Sequence, residues 1–118
     1  METELKATLK QNILLMIGRG RENSLTGIQL AAMVGSDRLG KDRTFRLLVL
    51  ELIEEGYPIA STNVRPAGYF MADTPEEVKI YAQSLRSRLI KDAIRRRDFL
   101  RAARPIMQPE QLPMALGS

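Results

Sequence analysis

The chain has 118 residues, 44% of them apolar and 27% charged, which is room for one cored domain plus an appendage and not for two domains with separate cores. Eighteen Lys and Arg against fourteen Asp and Glu leave a net charge of +4, with a pI near 9.8. Cys, His and Trp are all missing, which excludes disulfide frameworks, thiolate nucleophiles, Cys/His zinc sites and any mechanism that needs an imidazole. An enzyme here would have to run on carboxylates and hydroxyls, so the expectation is a non-enzyme with no metal and no cofactor. The longest apolar run, residues 13–17, is far below the roughly 20 residues that span a bilayer. The acidic start Met1-Glu2-Thr3-Glu4 is unlike the basic start of a signal peptide. A cytoplasmic protein without a membrane partner is expected.

Leu5, Leu9, Ile13, Met16 and Ile17 recur at helical spacing and predict a first helix over 3–17. Gly18 and Gly20 stop it, and Arg19, Arg21 and Glu22 read as an exposed connector. Thr26-Gly27-Ile28-Gln29 is a capping box, opening a short helix that carries Leu30, Ala31 and Val34 and ends at Gly35. Residues 36–42 are polar and read as a turn. From Arg43, the spacing of Phe45, Leu48, Val49, Leu52 and Ile53 predicts a helix with one apolar face, and Gly56 stands at its C-terminal stop. Residues 57–61 and 68–72 read as two short strands joined by a loop over 62–67 that holds Arg65. Thr74-Pro75-Glu76-Glu77 opens the last helix with a cap, a proline at the first helical position and two acids. With no Gly or Pro before Pro105, that helix can run nearly to residue 104.

The fold class expected is mostly α with a small β-hairpin: a winged helix-turn-helix over 1–73, a long basic helix over 74–104 and a disordered tail over 105–118. Leu30-Ala31-Ala32-Met33-Val34-Gly35, Arg43-Thr44-Phe45-Arg46, Glu54-Glu55-Gly56-Tyr57-Pro58-Ile59 and Gly68-Tyr69-Phe70 resemble the DNA-binding module of the biotin repressor and its regulator relatives. The resemblance covers about residues 10–73, and is more specific in its second half. The chain also resembles small prophage-type proteins that carry only such a module and a helical tail. The resemblance implies a recognition helix followed by a wing, and none of the family's ligase or effector chemistry. The sequence departs from the pattern in two places. Seven residues separate Gly35 from Arg43, more than a tight turn needs, and Leu47 and Leu50, with Ile53 at the edge, put apolar side chains on the outer face of the presumed recognition helix.

Lys41, Arg43, Thr44 and Arg46 cluster at the start of that helix, where a helix-turn-helix protein meets base edges and phosphates. The acids Glu51, Glu54 and Glu55 stand at its far end. Arg65 near the wing tip is placed to reach a flanking groove or phosphate. The competing reading is ordinary solvated surface charge. Leu47 and Leu50 touch thymine methyls, pack under the last helix, or form a protein interface. The pairs Glu54-Glu55 and Glu76-Glu77 fit helix-end capping and dipole effects better than catalysis, and Gly18-Arg19-Gly20 lacks the lysine and spacing of a phosphate loop.

The last helix carries apolar residues at Val78, Ala82, Leu85, Leu89, Ala93, Leu100 and Ala103, interrupted at Arg96. So small a domain cannot cover that stripe, and Val78, Leu85 and Leu89 are expected to hold a homodimer together. Arg86, Arg88, Lys91, Arg95, Arg96, Arg97, Arg101 and Arg104 form either a phosphate-tracking surface or the solvated outer face of a dimerisation helix. The leading expectation is therefore sequence-specific binding of double-stranded DNA as a homodimer, by a transcriptional regulator or a replication-associated factor. No small-molecule effector is indicated. The alternative is a protein–protein adaptor on the same scaffold.

Overall fold

The computed structural model describes residues 3–35 and 42–107. Four helices and one hairpin follow in chain order: α1 Thr3–Met16, α2 Gly27–Met33, α3 Asp42–Glu54, β1 Ile59–Thr62, β2 Gly68–Met71 and α4 Pro75–Ala102. The molecule is mostly helical, with a two-stranded antiparallel sheet and a long C-terminal helix. This is the element order expected above. The chain forms two compact units, Met1–Tyr81 and Ala82–Ser118. No helix among the described residues is long and apolar enough to cross a membrane.

The first unit is built around one core. Leu9, Ile13 and Ile17 from the α1 segment meet Leu30, Ala31 and Val34 from α2, and Phe45, Leu48, Val49 and Leu52 from α3. Ile59 and Met71 close the core from the hairpin. The α3 set follows i, i+3, i+4 and i+7, so a single stripe of the helix is apolar and buried. Three expected core positions lie outside it: Leu5 is 45% exposed, Met16 43% and Ile53 37%. Each sits at the rim of its helix's stripe, where the core has already been closed by its neighbours.

Local chemistry fixes the ends of the elements. Thr26 Oγ1 accepts from the Gln29 N–H at 3.1 Å, and Gln29 Oε1 accepts from the Thr26 N–H at 2.9 Å, completing the capping box. Thr74 Oγ1 likewise accepts from the Glu77 N–H at 3.1 Å. Glu77 differs from a standard box partner. Its carboxylate accepts from the Asp73 N–H at 2.7 Å and from the Arg21 N–H at 2.9 Å, so it fastens the start of α4 to the connector after α1. The acids at the end of α3 correct the expectation of a dipole effect, because the C-terminal end of a helix disfavours negative charge. Glu51 is instead paired with Lys6 at 2.7 Å and Lys10 at 3.4 Å, and Glu55 is paired with Lys10.

The segment between α1 and α2 is more structured than an exposed connector. A 3-10 turn occupies Arg21–Asn23, and the flanking residues pair with the outer edge of β2. Met71 exchanges hydrogen bonds with Gly18 O at 2.8 Å and the Gly20 N–H at 2.9 Å, and Tyr69 with both backbone groups of Leu25 at 2.7 and 3.0 Å. β1 covers the other edge in the register Ile59↔Met71 through Thr62↔Gly68. The expected turn over 36–42 lies outside the described residues except for Asp42, which begins α3. The expected tail lies outside them beyond Met107, and residues 105–107 form a turn.

The Arg21 and Asp73 N–H donors hold the Glu77 carboxyl below its ordinary value of 4.5. A depressed carboxylate adds stability above its unfolded pKa and loses it as the pH falls through the folded one. Glu77→Gln is therefore expected to lower the melting temperature at neutral pH and to flatten its decline below about pH 4.5, as thermal melts across that range would record.

Candidate nucleic-acid interface

The exposed side of α3 is set by the side that is buried. At about 100° per residue, the face opposite Phe45, Leu48, Val49 and Leu52 carries Arg43, Leu47, Leu50 and Glu54. All four are exposed, with Leu47 at 50% and Leu50 at 53%. No element of the first unit covers these leucines.

Thr44 and Arg46, two residues apart, lie about 160° apart around the axis. Thr44 is half-buried on the flank that also carries Glu51, whereas Arg46 is exposed on the opposite flank. There Arg46 lines a cleft of about 290 Å³ with Thr26, Ile28, Phe45 and Tyr69, between the start of α2 and the base of the hairpin. The Phe45 and Tyr69 rings pack at 5.8 Å with a 55° tilt, which fixes the cleft floor. Of the four residues expected to act together, the three that are described are thus dispersed. Arg43 faces outward, Arg46 faces the hairpin side, Thr44 faces the α1 side, and Lys41 lies outside the described residues.

Charge is distributed in the same sense. Lys6 beside Glu51 holds that carboxyl below its usual range, and Glu55 beside Lys10 raises the ammonium above its own. Glu51 near the end of α3 and Glu55 just past it are thereby neutralised on the α1 side, whereas Glu54 stands on the face that bears Arg43, at the far end of the helix. Arg65 is exposed in the loop between β1 and β2. Its carbonyl accepts from Arg21 Nη2 at 3.3 Å, so a second guanidinium stands at this loop. Arg19 stands on the same connector, paired with Asp73 at 3.3 Å. Periodicity gave no signal for Arg21, because the pairing of residues 18–25 with β2 is non-local.

The residues expected to hold a dimer are exposed: Val78 at 50%, Leu85 at 45% and Leu89 at 71%. No described residue of α4 is buried. Further apolar residues beyond the expected stripe are also exposed on α4, among them Ile80, Ile90, Ile94 and Phe99. Comparison with protein-family models, curated proteins and solved structures finds no match for this chain.

Proposed function

We propose that this protein binds double-stranded DNA in the cytoplasm, as a small regulator or replication-associated factor and not as an enzyme. α3 enters the major groove, and the β1–β2 wing lies alongside. The observation that carries this reading is the placement of basic residues around the start of α3 and at the hairpin, with the outward-facing acid Glu54 at the far end of the helix. Arg43 faces outward, Arg46 faces the wing and Arg65 sits at the wing tip, while Glu51 and Glu55 are turned toward lysines of α1. Leu47 and Leu50 then face the groove, where thymine methyls are the apolar features of the base edges.

Arg43→Ala and Arg46→Ala are each expected to weaken binding to a selected duplex by about 1–3 kcal/mol, roughly 5-fold to 150-fold, with the circular dichroism spectrum unchanged. Arg65→Ala is expected to weaken all sequences about equally and to reduce the salt slope by about one. Parent-like binding by both α3 variants would remove α3 from the reading surface.

A second reading, a protein–protein adaptor, draws on the exposure of Leu47 and Leu50 together with Ile28, which is 76% exposed. Apolar contacts are little changed by salt, whereas phosphate contacts weaken steeply. A salt titration of the captured partner separates the two.

A further inference from the structure

Arg96 interrupts the apolar stripe of α4, and it is not alone there. Leu85, Leu89, Asp92, Arg96, Phe99 and Ala103 follow one another at alternating steps of four and three residues, the spacing of a coiled-coil seam. All lie in the second unit. Ala103 continues the helical ladder past α4, its N–H donating to Phe99 O at 2.9 Å. Leu89 and Phe99 are 71% and 68% exposed, and a seam so uncovered requires a partner helix. Neither Asp92 nor Arg96 makes an ion pair among the described residues, although they stand one turn apart.

The order of the six residues decides the occupant. An in-register parallel pair would set Asp92 against Asp92 and Arg96 against Arg96 in the middle of the seam, two like-charge layers. In an antiparallel pair centred between them, each Asp92 meets an Arg96 of the other copy. Leu89 then meets Phe99, and Leu85 meets Ala103, large against small. Ala93 falls beside the two-fold axis, where a small side chain lets the helices approach. Arg95, which this register brings toward its own symmetry mate, has Asp92 three residues back on the same face.

We propose that two copies of this chain pair through an antiparallel α4 seam in which the Asp92–Arg96 layers set register and direction. Buried polar pairs are best attested in that role. The pairing supplies the homodimer and rests on self-association alone, so it stands or falls separately from the reading of DNA.

The full chain has no cysteine, so introduced thiols report the geometry. Mixed Leu85→Cys and Ala103→Cys chains are expected to form a disulfide-linked heterodimer on mild oxidation. Leu85→Cys alone stays unlinked, its two thiols being about 27 Å apart along the axis. Self-linking of Leu85→Cys, or a mixture that stays unlinked, overturns the antiparallel register. Asp92→Arg is expected to weaken dimerisation about tenfold or more by juxtaposing arginines, and adding Arg96→Asp to restore it. Failure of the double variant to recover likewise overturns the register. Leu85→Glu with Leu89→Glu is expected to give a folded monomer by sedimentation. A parent chain that sediments as a monomer at micromolar concentration overturns the pairing itself, whatever the duplex assay shows.

Discussion

Gly68→Ala is expected to disorder the β1–β2 hairpin and to destabilise the first unit by several kcal/mol. Gly68 has φ +128°, and a Cβ built there would stand 2.0 Å from Leu25 O and 2.6 Å from the Thr26 N. The backbone conformation alone costs a non-glycine residue about 1–3 kcal/mol. The contact adds to that cost, because the obstacle is backbone and not a side chain that can turn away. Relief requires β2 to separate from residue 25, which breaks the two Leu25–Tyr69 backbone hydrogen bonds. Tyr69 is thereby freed from the floor of the cleft that Arg46 lines. Urea unfolding together with limited proteolysis checks this. A midpoint equal to that of the parent, with the 62–67 loop equally protected, would contradict the close approach of the two segments.

Leu30→Ala is expected to lower the unfolding free energy by about 2–5 kcal/mol. Leu30 is fully buried on a helix of seven residues, too short to persist without its packing. Its removal leaves a cavity where α2 meets the rest of the core. Domains of this size hold about 5–15 kcal/mol in total, so the loss is a large share of the whole. Ile28→Ala, two residues earlier and 76% exposed, is the matched control and should change stability by no more than about 0.5 kcal/mol. Equal effects from the two, in chemical denaturation, would contradict the orientation of α2.

What the sequence made legible is local. Thr26 with Gln29, Thr74 with Pro75, and the glycines at 35 and 56 mark helix ends within a residue or two, because capping acts over three or four positions. The α3 stripe is equally plain, since its burial follows from the period of the helix. The pairing of residues 18–25 with β2 was not legible. It is made by backbone atoms of Gly18, Gly20 and Leu25, which leave no alternation of side chains to read. The Lys6 and Lys10 bridges to Glu51 and Glu55 join residues about forty positions apart, and no spacing within one helix announces them.

The candidate site was legible in part. Counting positions along the chain gathers Arg43, Thr44 and Arg46 into one cluster, and the turn of the helix scatters them onto three flanks. That dispersal follows from the helical period alone. The placement of Arg46 against Tyr69 does not, because it depends on how the hairpin packs. On α4 the apolar spacing was visible, but Arg96 read as an interruption as long as the helix was considered without its mate.

Selection of bound sequences from a random duplex pool, followed by a salt titration of the enriched site, tests DNA reading by α3 and the wing most directly. The expected result is a shared motif whose affinity falls with a log–log salt slope of about −3 per bound copy, given contacts from Arg43, Arg46 and Arg65, and whose enrichment is lost in Arg43→Ala. A pool that yields no shared motif, with binding absent even at low salt, would contradict it.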